Sequence, residues 1–381
     1  MNMKAFVKHL LDLTVDIQQI PAPTFAEVKR AQFIKGLFEA EGLQDVAMDE
    51  IDNVYGCLPG EGQARPLIIS AHLDTVFPAE TDLTVQKSRR RIIGPGIGDN
   101  SLGVAALFGL VWLLREHKIS LPGDLWFVAN VCEEGLGDLR GMRAVVDRFG
   151  ANVHAYLIIE GLSLGYIQHR ALGVQRYHIT AKTTGGHSWS DYGRPSALHE
   201  LASLVTQLTA MPLPEYPRTT MNVGRMGGGT SINAIAAEAW LELDLRSESP
   251  QVLAELARRV EKLIETTSRP ELRMEAKIIG KRPAGEIPTN HPLIKLAEAC
   301  LREQRLEPRL MIGSTDANVP LSRGLPALVL GVTNGTGAHT TGEFINTEPV
   351  GRGMEQLLQF VSKVWEVDRQ SKLGGSTQPI K

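Results

Sequence analysis

His72, Asp99, the doublet Glu133-Glu134, Glu160 and His339 are the residues of this sequence whose types and placing could hold a metal ion. His72 follows the apolar run "LIISA", the glutamate doublet follows "WFVANVC", and Glu160 follows "AYLII". Asp99 sits in the glycine-rich turn "GPGIGDNSLG", and His339 in "GTGAHTTGE", a loop after the apolar run "ALVLGV". Each alone has an ordinary structural explanation, as a satisfied residue at a strand end or as a cap. Several carboxylates converging on one crevice are a different matter, because burying them without a cation is very costly. Imidazole and carboxylate donors without thiolate suit Zn²⁺, with Mn²⁺ or Co²⁺ as alternatives. Two dications carry more positive charge than Asp99, Glu134 and Glu160 can neutralise, and the excess favours a bound hydroxide.

Such convergence needs a scaffold that brings distant strand ends together. From Pro66 to Glu160 continuous apolar runs alternate with helical patterns such as "SLGVAALFGLVWLLREH", which suggests buried strands of a largely parallel sheet. In an open parallel sheet, ligands gather at the carboxyl ends of the strands. The pattern returns with a helix at "PLIKLAEACLREQR", a strand at "ALVLGV" and a last helix from Val350 to about Val367. Between them "GVQRYHITAKT" alternates with period 2, followed in order by a helix, two strands, a helix and the strand "ELRMEAKIIG". That β-α-β-β-α-β order is the split βαβ arrangement of a ferredoxin-like unit. The expected fold class is α/β: a mixed, largely parallel sheet with helices on both faces, interrupted by a ferredoxin-like insertion. The expected domains are a discontinuous catalytic domain (1–170 and 282–369), an inserted lid (171–281) and a disordered tail (370–381).

Composition removes several classes of function. The formal net charge is −3, and the one basic run, "KSRRR" from Lys87, lacks interleaved aromatics, so nucleic acid is not an expected partner. Three cysteines without CxxC spacing suggest neither a disulfide framework nor a thiolate zinc site. The N-terminal "MNMKAFVKHLLDLTVDI" carries Asp12 and Asp16 and reads as an amphipathic helix, not a signal peptide. No uninterrupted apolar run reaches the ~18 residues of a spanning helix. A cytoplasmic location without membrane association is the expectation.

Taken together, "IPAPTFAE", "AHLDTV", "GPGIGDN", "CEEG", "IIEG" and "GAHTTGEF" resemble the di-zinc metallopeptidases that include aminoacylase, glutamate carboxypeptidase, peptidase T and succinyl-diaminopimelate desuccinylase. The resemblance spans nearly the whole chain. It implies that His72 and Glu160 hold one zinc, that Glu134 and His339 hold the other, and that Asp99 bridges them. Asp74, two residues beyond His72 on the same strand face, would orient the imidazole. Glu133 would be the general base that takes a proton from metal-bound water and returns it to the leaving amine.

The resemblance also gives a role to "GGHSWS", far from the other residues. It implies that the inserted domain mediates a homodimer and that His187 reaches the partner's active site to stabilise the tetrahedral oxyanion. Arg246 in "LDLRSE" would grip a substrate carboxylate, and Asn233 in "GGTSINAI" would touch the substrate. The implied reaction is amide hydrolysis by a metal-bound hydroxide. A small peptide is the expected substrate, cleaved in aminopeptidase or di- and tripeptidase fashion, with an N-acylated amino acid as alternative. Two departures bear on this choice. Asp99-Asn100-Ser101 stands where many deacylase branches have Asp-Met-Lys, and Ser188-Trp189 follows the lid histidine in place of Ala-Gly.

Other readings use some of the same residues. "GLSLG" matches a GxSxG nucleophile elbow, with Ser163, Asp316 and His339 in the chain order of a serine α/β-hydrolase. The elbow must turn directly into a helix, whereas "YIQHRALGVQRYHI" reads as strand. A dinucleotide loop in "GPGIGD" fails because Asp99 occupies the sixth position of GxGxxG. A non-catalytic binding module of the same fold conflicts with the presence of every ligand position and of Glu133.

Overall fold

The computed structural model describes residues 2–367, so the expected tail at 370–381 lies outside the described residues. Before the insertion the main strands are β1 (Gln44–Met48), β2 (Val54–Leu58), β3 (Leu67–His72), β4 (Leu125–Asn130), β5 (Ala155–Glu160) and β6 (Tyr166–Ala171). The insertion contributes β7 (Gly173–Lys182), β8 (Thr219–Gly228), β9 (Glu238–Ser247) and β10 (Arg273–Arg282). The chain then returns with β11 (Arg309–Gly313) and β12 (Ala327–Gly331). Three helices matter below: α1 (Leu102–Glu116), α2 (Ala197–Thr209) and α3 (Pro250–Thr267).

Two compact units result. One comprises the described residues up to Arg170 and from Glu286 onward; the other is Ala171–Gly285. The division falls beyond position 281 because β10 continues to Arg282, still paired with Val174 of β7.

In the first unit the sheet order is β1-β2-β4-β3-β5-β12-β6, with β11 paired to β6. Strand β3 is parallel to β4 and β5, and β12 is parallel to β5. The flanking pairs β1/β2, β2/β4 and β12/β6 are antiparallel, so the sheet is mixed. Strands β3 and β12 are buried at every position, which is why their sequences are continuous apolar runs and not alternations. The four central strands point the same way, and their carboxyl ends deliver His72, the Glu133-Glu134 doublet, Glu160 and the loop to His339 to one edge.

Helix α1 packs on β3 and β5 and is buried almost all round, so it carries no polar face. Together with the turn before it, Ile97–Glu116 has the length and composition of a membrane span, which a count of uninterrupted apolar residues passes over. Most of it is buried inside this unit, as a core helix is.

The second unit runs β7-α2-β8-β9-α3-β10 along the chain, and its four strands are ordered β8-β9-β7-β10, all antiparallel. Burial alternates along β9. Ala239, Leu241, Leu243 and Leu245 are buried in a core with Leu201, Leu204 and Leu208 of α2 and Leu256, Val260 and Ile264 of α3. Each such leucine contributes about 1.5–3 kcal/mol on burial, and a one-residue slip would turn all of them to the other face. That register leaves Glu242, Asp244 and Arg246 on the opposite face.

Candidate metal centre

His72 ends β3 and is buried, with Nε2 3.2 Å from Asp99 Oδ1 and 3.8 Å from Glu160 Oε2. His339 presents Nε2 3.2 Å from Asp99 Oδ2 and 3.1 Å from Glu134 Oε1. Asp99 therefore shows one carboxylate oxygen to each imidazole. Ligand atoms of His72, Asp99 and Glu134 lie within 4.8 Å of one another. Zinc bonds of about 2.0–2.1 Å in tetrahedral geometry separate neighbouring donors by about 3.3–3.4 Å, so the donor spacing fits a metal ion. The group is a metal-binding cluster.

The electrostatics of the cluster agree with that fit. Burial opposes a charge on His72, yet the carboxylates of Asp74, Asp99, Glu160 and Glu133 raise its pKa well above the ordinary imidazole value. Hydrogen bonds to Asp99 and Glu134 push His339 up to about 10. Burial works to raise Asp99, but its bonds to the two histidines hold it below the usual carboxylate range. Burial lifts Glu160 well above its ordinary value, aided by the nearby Asp99, Glu133 and Asp316 carboxylates. Without ions the site thus retains protons on both imidazoles, and a field that does so attracts cations.

Backbone braces set these side chains. The Asp74 carboxylate accepts the backbone N–H groups of Glu133 and Glu134, each at 2.9 Å, and the Thr24 hydroxyl at 2.9 Å. His72 Nδ1 lies 3.0 Å from the Asp74 carbonyl oxygen and 3.6 Å from its carboxylate. The imidazole faces both this backbone oxygen and the carboxylate, and the same carboxylate also holds the loop of the glutamate doublet. Behind it, Glu27 accepts the Cys132 N–H at 3.0 Å, and buried Arg30 donates to the Leu73 carbonyl at 2.7 Å.

On the other side, Asn100 donates to the Ile159 carbonyl at 2.9 Å and accepts the Gly161 N–H at 2.8 Å, tying the Asp99 turn to the end of β5. Fully buried Glu343 accepts N–H groups from Gly96, Gly98 and Asp99 at 3.1, 2.6 and 2.8 Å. Burial and the neighbouring Asp99 push its carboxyl up to about 7.

Sequence reading missed Glu27, Arg30, Asn100 and Glu343 as parts of the site. Glu27 and Glu343 stood inside quoted motifs, and Asn100 registered only as a departure from a pattern.

The remaining candidates lie in the second unit. His187 is exposed in the short strand Gly186–His187, which pairs with Ala234–Ile235. Its Nδ1 accepts N–H groups from Trp189 at 3.2 Å and Ser190 at 3.4 Å, so the neutral ring carries its proton on Nε2. The Asn233 carbonyl accepts the Ser188 N–H at 3.0 Å, and its side chain bonds the Ser231 hydroxyl at 2.6 Å. Arg246 donates to Asp244 at 2.7 Å, and Asp244 also takes Arg176 at 2.9 Å.

The serine triad is not assembled. Ser163 occupies a turn between two strands, with φ +70° and no helix after it. Asp316 accepts from Asn130 at 2.7 Å, and His339 is committed to Asp99 and Glu134.

Comparison with known proteins places this architecture. The chain is 25% identical to the succinyl-diaminopimelate desuccinylase of Corynebacterium glutamicum over 361 residues, covering 92% of this chain and 95% of the relative. A tripeptidase structure from Staphylococcus aureus superposes with a TM-score of 0.81 at 23% identity, covering 94% of this chain and 99% of that one. A dinuclear metal-binding peptidase of Bacillus subtilis superposes with a TM-score of 0.70 at 17% identity, covering 96% and 99%. The two structural likenesses establish the fold. The family model of peptidase family M20/M25/M40 matches residues 68–363, and the chain belongs to that family.

Proposed function

We propose that the protein is a metal-dependent hydrolase of amide bonds in small peptides, with N-acylated amino acids as the second substrate class. The observation that carries this is Asp99, whose two oxygens each stand 3.2 Å from a different imidazole nitrogen. It supports two ions, one held by His72, Asp99 and Glu160 and the other by His339, Asp99 and Glu134, with zinc favoured and Mn²⁺ or Co²⁺ possible. The ions would supply acidification of an attacking water and polarisation of the scissile carbonyl.

This chain's residues do the rest. Glu133 is the general base. Its backbone is pinned by Asp74, and its carboxylate takes the proton of the attacking water and hands it to the departing amine. His187, with its proton on Nε2, donates to the oxyanion that develops on the carbonyl. Arg246 with Asp244 and Arg176 forms a trio of net charge about +1, suited to one substrate carboxylate. Asn233 supplies a lesser polar contact. The strand order β8-β9-β7-β10 supports a ferredoxin-like insertion, through which two copies pair so that His187 serves the partner's centre.

The first experiment is Glu133→Gln. It should retain near-normal zinc while turnover of di- and tripeptides falls about 10²–10⁴-fold, the range for a general base. Substantial residual activity removes Glu133 as the base. A parallel mass-spectrometric panel of free and N-acetylated peptides, with zinc-loaded and chelated protein, decides between the substrate classes. Cleavage indifferent to thorough metal removal overturns the metal reading.

A further inference from the structure

Glu343 is a buried carboxyl group whose hydrogen bonds go to backbone N–H groups of the turn that carries Asp99. Its Oε1 accepts the N–H groups of Gly98 and Asp99, and its Oε2 accepts that of Gly96. Its own carbonyl accepts the Gly94 N–H at 2.9 Å, so side chain and backbone hold the same turn from two points. Three N–H groups donating to one buried carboxyl group fix the backbone direction on the N-terminal side of Asp99, while the Asn100 side chain ties the other side. The turn needs such a brace, because its glycines give the backbone little stiffness of its own. Gly96 has φ +70°, and a Cβ on Gly98 would stand 2.8 Å from Leu162 and 2.9 Å from Ile345. Glu343 also belongs to the loop of His339, four residues earlier, and adjoins the strand Phe344–Asn346.

We propose that Glu343 is a positioning residue: it holds the Asp99 turn so that one oxygen of Asp99 faces His72 and the other faces His339, and it makes metal affinity depend on the loop that delivers His339. The inference rests on the metal-centre reading above and adds a residue to it. The carboxylate acts through backbone N–H groups, so its loss does not remove a ligand. It lets Asp99 swing, and both ion positions weaken together.

The test is competitive titration of zinc against a chromophoric chelator on wild-type protein and Glu343→Gln. Glutamine keeps the reach but replaces one acceptor oxygen with an NH₂ group facing an N–H. The variant should remain folded by circular dichroism and bind both zinc equivalents about 10–100-fold more weakly, as loss of outer partners typically does. The cobalt-loaded variant should show an altered visible spectrum. Raising the free metal concentration should restore kcat with KM unchanged, which a merely structural defect would not do.

A folded variant with wild-type affinity and an unchanged cobalt spectrum overturns the proposal. A wild-type protein that binds no zinc overturns the reading beneath it, so the two failures are distinguishable. Hydrogen exchange on the wild type gives an arm independent of any variant. The amides of Gly96, Gly98 and Asp99 should be protected in metal-free protein, and exchange at the rate of an open loop overturns the brace.

Discussion

The metal centre and the candidate residues of the inserted unit are held by opposite kinds of bond. At the metal centre the partners are distant in sequence. Asp74 holds the Glu133-Glu134 backbone, Glu343 holds the Asp99 turn, and Asn100 ties that turn to the end of β5. In the inserted unit the bonds made by the candidate side chains themselves are local. His187 is held by Trp189, Ser190 and Asp191, Arg246 by Asp244, and Asn233 by Ser231. Long-range buried bonds fix functional atoms relative to one another before a ligand arrives, whereas local bonds fix a side chain only to its own loop. Metal binding and turnover should therefore separate cleanly under mutation.

The largest effect is expected at Asp99, whose carboxylate meets both imidazoles. Asp99→Ala should lose both metal equivalents and about 10³-fold or more in turnover, because metal polarisation supplies several kcal/mol and each ~1.4 kcal/mol is tenfold. Elemental analysis after gel filtration checks it. Two tightly held equivalents in that variant would mean the cluster is not organised around Asp99.

His187→Ala belongs on the other side of the comparison. Zinc content should be unchanged while kcat falls about 10²–10³-fold, the usual loss for one oxyanion donor. Mixing inactive His187→Ala with inactive Glu133→Gln should recover activity through hybrid dimers once subunits exchange. No recovery despite demonstrated exchange removes the role in trans.

Protonation sharpens the contrast at a smaller scale. In metal-free protein His339 is raised from 6.5 to about 10, and His72 is raised as well. A raised folded-state pKa means the contribution to stability is fully present below the ordinary imidazole value and is lost as pH rises through about 10. Near neutral pH both imidazoles then carry protons that a metal must displace. Zinc binding should release at least these two protons, with a further one from Glu160, whose carboxyl is also lifted well above its ordinary value, read by calorimetry in buffers of different ionisation enthalpy. Release near zero would show that the two imidazoles do not share the carboxylate field as closely as the distances indicate.

How much of this was legible in the sequence follows the same division. Candidate ligands at strand ends could be read because the strands are buried on both faces and leave unbroken apolar runs that stop at His72 and Glu160. The alternation along β9 likewise placed Arg246 opposite the leucines. The braces could not be read. A carboxylate that accepts backbone N–H groups from a loop more than two hundred residues away, as Glu343 does, has no periodicity and no spacing rule. The role of Asp74 shows the same limit. Its position two residues after His72 suggested contact with the ring, and its carboxylate stands 3.6 Å from Nδ1; the bonds it also makes to the doublet loop that follows the neighbouring strand had no signal in that spacing.

The smallest effects are expected at Arg246 and Asn233, whose local bonds leave them least constrained. Arg246→Met should lower kcat/KM for substrates with a free carboxylate by about 10–100-fold, the worth of a hydrogen bond to a charged group. The same substrates with the carboxylate amidated should show no difference between variant and wild type. Asn233→Ala removes a neutral hydrogen bond and should change kcat/KM by about 2–10-fold. Neither should alter zinc content, since neither side chain is tied to the ligand loops by any bond described above. Loss of metal in either variant would mean that the inserted unit organises the centre as well as the substrate, and the separation drawn between the two regions would fail at that point.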